Sequence, residues 1–172
     1  MTLPTCVQIS TPRSCAACSI SVRSVPAAKA LSFHFFLTED ASRSYNECEG
    51  RTSATAVINP DPIQNSQDVP LIVLVGEETA SFGEIFSGVL QDTGRAKIVG
   101  QTTPGNVETL HGYDFEDGSR MWIAEEVFDP SISHAKWEET GIVTDLEAYA
   151  DWDTFTFEND PSVAAALTLL GH

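Results

Sequence analysis

Pro70-Leu-Ile-Val-Leu-Val75, closed by Gly76 and followed by Thr79-Ala-Ser-Phe-Gly-Glu-Ile-Phe86, is the stretch whose reading decides the fold. A β-branched apolar run of this length, bounded by turn residues, reads as a strand buried on both faces of a largely parallel sheet. After it, Phe82, Ile85, Phe86, Val89 and Leu90 recur on one helical face, and Ser81 with Glu84 has the form of a capping box. Gly94 supplies the helix stop, and Ala96-Lys-Ile-Val99 reads as the next strand. Strand, helix and strand make a βαβ unit, so the expected class is α/β.

Outward from this unit the signals weaken. Downstream, a loop runs through Pro104-Gly105, and Asp117-Gly118 marks a hairpin. The apolar members of its two strands are Leu110, Tyr113 and Phe115 on one side and Met121, Trp122 and Ile123 on the other. Gly141-Ile-Val143 reads as a short strand. Asp160-Pro161 opens a last helix, with Val163, Leu167 and Leu170 as its apolar face. Upstream, Asn59 to Asp68 is a loop by its prolines and its turn-forming polar side chains. Ala30 to Leu37 is an apolar stretch that fits a strand or a helix end, with His34 within it as a packed or partly exposed residue. Residues 1–29 show neither a helical nor an alternating period.

Composition narrows the function classes. A 172-residue chain holds one sizeable core and no second domain, since roughly 70% of the unfolded surface is buried at this size. With 25 acidic and 9 basic side chains the formal net charge is -16, which leaves no electrostatic footprint for nucleic acid. The basic groups are unevenly placed: Arg13, Arg23, Lys29, Arg43 and Arg51 all precede residue 52. Cys6, Cys15, Cys18 and Cys48 lie in the same part. Cys15-Ala-Ala-Cys18 lacks companions at zinc-site spacing, so these read as incidental thiols and no metal site is expected. No run of about 18 apolar residues is present, so no transmembrane segment is expected. Nor do the first 19 residues have the form of a signal peptide.

The order Leu-Ile-Val-Leu-Val, Thr79-Ala-Ser-Phe-Gly-Glu-Ile-Phe86 and Leu90-Gln-Asp-Thr-Gly-Arg-Ala-Lys-Ile-Val-Gly-Gln-Thr-Thr103 resembles the core motif of the C-terminal processing (tail-specific) serine peptidases. The resemblance covers about residues 69 to 145. It implies a crotonase-like layered fold and hydrolysis of peptide bonds in polypeptide substrates through an acyl-enzyme, with no cofactor. Aligned on Glu84-Ile-Phe86, the family's nucleophile falls on Ser81 and its helix-end aspartate on Asp92. A serine at a helix N-terminus suits this chemistry, because unpaired N–H groups there stabilise an oxyanion, and the amide of Phe82 is the natural donor. The plainer reading of Ser81 is an N-cap, whose replacement by Ala costs about 1 kcal/mol.

The base is where the chain departs from the pattern. In the Ser-Lys members a lysine stands where this chain has Asn106, and an amide cannot accept the serine proton. A tricorn-like branch uses serine, histidine and glutamate. Trp137-Glu-Glu-Thr-Gly-Ile-Val-Thr-Asp145 is similar to its glutamate segment, which puts Glu138 on the family's glutamate, with Thr144 in place of a proline. The plainer reading of Glu138 and Glu139 is a solvated acidic loop. The branch's histidine belongs upstream of the serine, and the setting of His34 does not match its motif. His111 is carried as the candidate base, with Glu108 as a second base or hydrogen-bonding partner.

The family's Asp-x-Arg-x-Asn-x-Gly-Gly turn, which supplies the other oxyanion donor, has no counterpart in residues 1–69. The expected organisation is therefore a start over residues 1–30 that is irregular and foreign to the family, followed by part of a peptidase catalytic domain over 31–172. The competing class is a catalytically inactive relic or a polypeptide- or lipid-binding module of the same fold; a crotonase-type acyl-CoA enzyme is the third. The resemblance points to work outside the cytoplasm, whereas the form of residues 1–19 leads to no expectation of an export signal.

Overall fold

The computed structural model describes residues 6–8, 36–37, 41–47, 52–58, 61, 63–149, 156 and 158–172. Within these, two sheets and three helices form an α/β arrangement. The first sheet is parallel throughout, in the order β1 (Cys6–Gln8), β4 (Ile72–Val75), β5 (Lys97–Gly100), β8 (Leu146–Glu147). The second is antiparallel, in the order β3 (Thr52–Ile58), β2 (Ala41–Glu47), β7 (Arg120–Pro130), β6 (Thr109–Asp114).

Strand β4 explains why the parallel sheet has helices on both faces. Successive side chains of a strand point to opposite sides, and every residue from Leu71 to Val75 is buried. Leu71, Val73 and Val75 join Ile85, Phe86, Val89 and Leu90 of α1 (Phe82–Asp92) in the larger core cluster. Ile72 and Leu74 face the other way, with Val99, against Ala166 of α3 (Pro161–Leu169). The β4–α1–β5 unit expected from the sequence is thus present, with β4 and β5 paired in parallel from Ile72↔Lys97 to Val75↔Gly100. Gly94 at φ 68° closes α1, where the Arg95 and Ala96 N–H groups return to the Leu90 carbonyl at 2.9 and 3.1 Å.

Polar anchors hold the ends of this unit. The Arg95 guanidinium donates to three backbone carbonyls, those of Phe36, Ser66 and Val69, each at 2.7 Å. Burial lowers its pKa and the charge of Asp68 works against that shift. Asp145 accepts from the Ile98 N–H at 2.8 Å, from Gln91 Nε2 at 3.1 Å and from Lys97 Nζ at 2.8 Å, which docks the chain entering β8 beside β5.

Several expectations are corrected. Gly141-Ile-Val143 is not a strand: Gly141 has φ 66°, and parallel pairing begins only at Leu146. The buried member of α3 is Ala166 in place of Leu167, which is 43% exposed; the small side chain lets the helix approach Ile72 and Leu74 closely. Residues 6–8, expected to be irregular, form β1 beside β4. The hairpin at Asp117-Gly118 is as expected, but β7 runs on to Pro130 and pairs with β2. The apolar residues of that hairpin, Leu110, Tyr113, Phe115, Met121, Trp122 and Ile123, are all exposed. His34, Cys15, Cys18 and Cys48 lie outside the described residues, as does most of Ala30 to Leu37.

Candidate active site

The turn from β4 into α1 is compact. The Thr79 N–H donates to the Gly76 carbonyl at 2.9 Å while its Oγ1 accepts the Gly76 N–H at 3.0 Å, and Thr79 is buried. Two residues on, Ser81 adopts φ 54°, ψ -118°. This is a sparsely populated region for a residue with a side chain, and such a conformation persists only where its surroundings over-determine it. Three donors of the first helical turn are occupied: Gly83 N–H binds the Ala80 carbonyl at 3.1 Å, and the Glu84 and Ile85 N–H groups bind the Ser81 carbonyl at 3.0 and 3.1 Å. The Phe82 N–H, the other donor of that turn, has no acceptor among the described residues. An exposed hydroxyl on a strained strand-to-helix turn, next to an uncommitted helix N–H, is the local geometry of an acyl-transfer nucleophile.

Beneath it lies Glu84, fully buried. Its Oε2 accepts the N–H of Ser81 at 2.9 Å and that of Asn106 at 2.8 Å; its Oε1 accepts the Thr103 hydroxyl and the Gly105 N–H, both at 2.6 Å. The capping relation seen in the sequence is therefore one part of a four-donor site. Thr103 continues it, since its Oγ1 accepts the Ile142 N–H at 2.8 Å.

The segment carrying Glu138 abuts the same loop. A Cβ on Gly105, which has φ 91°, would stand 2.8 Å from the Trp137 carbonyl oxygen and 3.0 Å from that of Glu138, so the loop and α2 (Trp137–Thr140) touch backbone to backbone. Trp137 is buried and stacks on Phe128 of β7 with ring centroids 5.2 Å apart, which fixes this short helix. Glu138 Oε2 is buried with no hydrogen-bond partner among the described residues. Burial raises the Glu138 pKa; its own backbone N–H lowers it, the charges of Glu108 and Glu139 raise it further, and Lys136 offsets part. An orphaned buried carboxylate oxygen is costly and calls for a donor.

The structure thus brings Ser81, Phe82, Asn106 and the backbone of Glu138 around Glu84, with Glu108 close enough to act on Glu138 by its charge. Asp92 stands apart at the far end of α1, where its oxygens accept the Ile132 and Ser133 N–H groups at 3.1 and 2.9 Å and anchor the turn after β7. His111 sits in the exposed β6–β7 hairpin, opposite Ile123. His134 is paired with Asp129 at 2.9 Å. The reach of Glu84 across to Thr103, Gly105 and Asn106 was not legible from spacing; the Thr-Thr-Pro-Gly loop was the available signal.

The model of peptidase family S41 matches residues 27–148. The chain belongs to peptidase family S41. This S41 chain is 32% identical over 124 residues to "Carboxyl-terminal-processing peptidase 3, chloroplastic" of Arabidopsis thaliana, a match covering 71% of the chain and 23% of that protein. It is 39% identical over 67 residues to the "Carboxyl-terminal-processing protease" of a Picosynechococcus species, covering 39% of the chain and 16% of the relative. Among solved structures it superimposes on the photosystem II D1 C-terminal processing protease with a TM-score of 0.59, at 22% identity, over 67% of this chain and 29% of that one. The S41 chain therefore spans less than a quarter of the length of these two curated relatives.

Proposed function

We propose that this S41 chain carries the nucleophile half of a serine peptidase site and acts on polypeptide substrates through an acyl-enzyme on Ser81. The observation that supports this best is the left-handed conformation of Ser81 beside the uncommitted Phe82 N–H. In this reading Ser81 Oγ attacks the scissile carbonyl carbon as its proton passes to a base. The tetrahedral oxyanion takes a hydrogen bond from Phe82 N–H. The C–N bond then breaks as the proton moves to the leaving amine, and water hydrolyses the ester to regenerate Ser81.

In this reading the base is an imidazole oriented by Glu138, whose buried Oε2 has no hydrogen-bond partner among the described residues and so is open to a ring N–H. His111, which lies on the exposed β6–β7 hairpin outside the cluster around Glu84, is the candidate carried for that role, with Glu108 as an accessory carboxylate, Asp92 as a supporting residue and Asn106 standing where the Ser-Lys branch has its lysine. The parallel sheet with α1 and α3 on its two faces is read as part of a crotonase-like layered fold. A second reading, an inactive relic or binding module, is favoured by Asn106, whose amide accepts no proton at the family's base position.

Labelling by an alkyl fluorophosphonate, comparing the chain with Ser81→Ala and His111→Ala, tests this. Labelling of the wild type, lost in Ser81→Ala, is expected. A folded wild type that is not labelled would favour the second reading, and labelling unchanged in His111→Ala would remove that histidine from the site.

A further inference from the structure

We propose that Glu84 is a positioning residue for Ser81: its buried carboxylate holds the nucleophile's backbone in the left-handed conformation and ties it to the loop bearing Asn106 and the segment bearing Glu138. The inference rests on the reading of Ser81 as nucleophile.

A cap needs one acceptor, yet Glu84 uses both of its oxygens on four donors from two parts of the chain, 19 to 22 residues away at the far side. Its pairing with Ser81 is the tie that acts on φ. The Ser81 N–H points to Oε2 while the Ser81 carbonyl is held by the Glu84 and Ile85 N–H groups, so the peptide planes on both sides of its Cα are fixed. With the planes fixed, the Cα–Cβ bond about which Oγ rotates and the aim of the Phe82 N–H are fixed too, since that N–H belongs to the plane following Ser81. Releasing Oε2 frees the preceding plane, and Ser81 relaxes toward the ordinary helical N-cap conformation.

Two of the other three tethers extend the same control. Thr103 passes it to Ile142, just beyond α2, and Gly105 packs on the Glu138 carbonyl. The separation between nucleophile and Glu138 is therefore set through one carboxylate. Ser81 and Asn106 are exposed residues whose N–H groups nonetheless end on a buried oxygen. This pairing of exposed side chain and protected amide is what a side chain serving catalysis with a locked backbone requires.

The test compares the wild-type chain with Glu84→Gln, whose carboxamide nitrogen places a donor against donors, and with Ala166→Gly in α3, a destabilising control away from the site. The rate constant of fluorophosphonate capture is separated from its saturation constant, and amide hydrogen exchange is followed at Ser81, Gly105 and Asn106. Glu84→Gln is expected to slow capture about 10- to 100-fold with little change in saturation, as a misplacement on the order of 1 Å would. Ala166→Gly is expected to leave capture unchanged. Capture at the wild-type rate in a folded Glu84→Gln would overturn the proposal. If Glu84→Gln does not fold, or if the wild type is not captured at all, the exchange of the wild type decides. Slow exchange at Ser81 and Asn106 supports the tether, and exchange at the rate of free exposed amides refutes it, independently of whether the peptidase reading stands.

Discussion

Trp137 fills the space that a methyl group on Gly88 would need: a Cβ there would lie 2.7 Å from Trp137 Cη2 and 2.8 Å from Ile142 Cδ1. The helix thus carries a glycine in its interior because α2 lies directly on it. Gly88→Ala gains up to about 1 kcal/mol of helix propensity and loses roughly 1 to 3 kcal/mol to overpacking. A net loss of stability, with a changed Trp fluorescence spectrum from the displaced indole, is expected in denaturant titrations. Equal or greater stability would show that Trp137 moves aside freely.

Glu138 yields a prediction with a definite sign. Burial raises its pKa in the folded chain, so its neutral form fits the fold better. The stability it permits is fully present below the unfolded carboxyl value of about 4.3 and is lost as pH rises through the folded value. Glu138→Gln is therefore expected to melt higher than the wild type at neutral pH, with the difference closing as pH falls toward 4, while fluorophosphonate capture drops. Melting temperatures across that range check it; an equal or lower melting temperature at neutral pH would mean that Glu138 is paired.

Asp145 has the opposite sign. Burial pushes its carboxyl up, but the Lys97 hydrogen bond, the Ile98 N–H, Gln91 and the Lys97 charge together outweigh that and leave it below the ordinary range. Its contribution is present above about pH 3.9, the unfolded value, and is lost as pH falls through the folded one. Asp145→Ala leaves the N–H of the buried Ile98 without its acceptor and is expected to cost about 2 kcal/mol in urea unfolding at neutral pH. A cost near zero would show that water replaces the carboxylate.

Asn106 bonds to Glu84 through its backbone N–H and leaves its side chain exposed, so a lysine there keeps that tether. Asn106→Lys is expected to raise fluorophosphonate capture about tenfold or more at alkaline pH, where an amine can accept the serine proton. A flat pH profile equal to that of the wild type would mean the position does not face Ser81 Oγ.

What the sequence made legible follows from where period and turn chemistry coincide. The β4–α1–β5 unit could be read because a buried parallel strand is a continuous apolar run and α1 has a clear apolar face ended by Gly94. Strand β2, Ala-Ser-Arg-Ser-Tyr-Asn-Glu, carries almost no apolar signal and owes its place to pairing with β3 and β7, which no local pattern encodes. Gly141-Ile-Val143 reads as a strand from its β-branched residues, whereas Ile142 is bound to Thr103 and fills the core beside Trp137. The motif singles out Ser81 as a candidate, but its backbone strain is not legible there, since the Ser81 N–H is held by a carboxylate anchored to a loop about twenty residues later.

The β6–β7 ribbon exposes apolar side chains on both of its faces. Directly opposite pairs share a face, so Tyr113, Met121, His111 and Ile123 line one side, and Leu110, Ala124 and Trp122 the other, with β6 at the sheet edge. Such a ribbon attracts its own kind, and the formal net charge of -16 pushes copies apart. Salt shortens the range of that repulsion to about 8 Å at 0.15 M and leaves the apolar attraction in place. Ionic strength therefore sets the distance at which the exposed faces of two such ribbons cease to be held apart by charge.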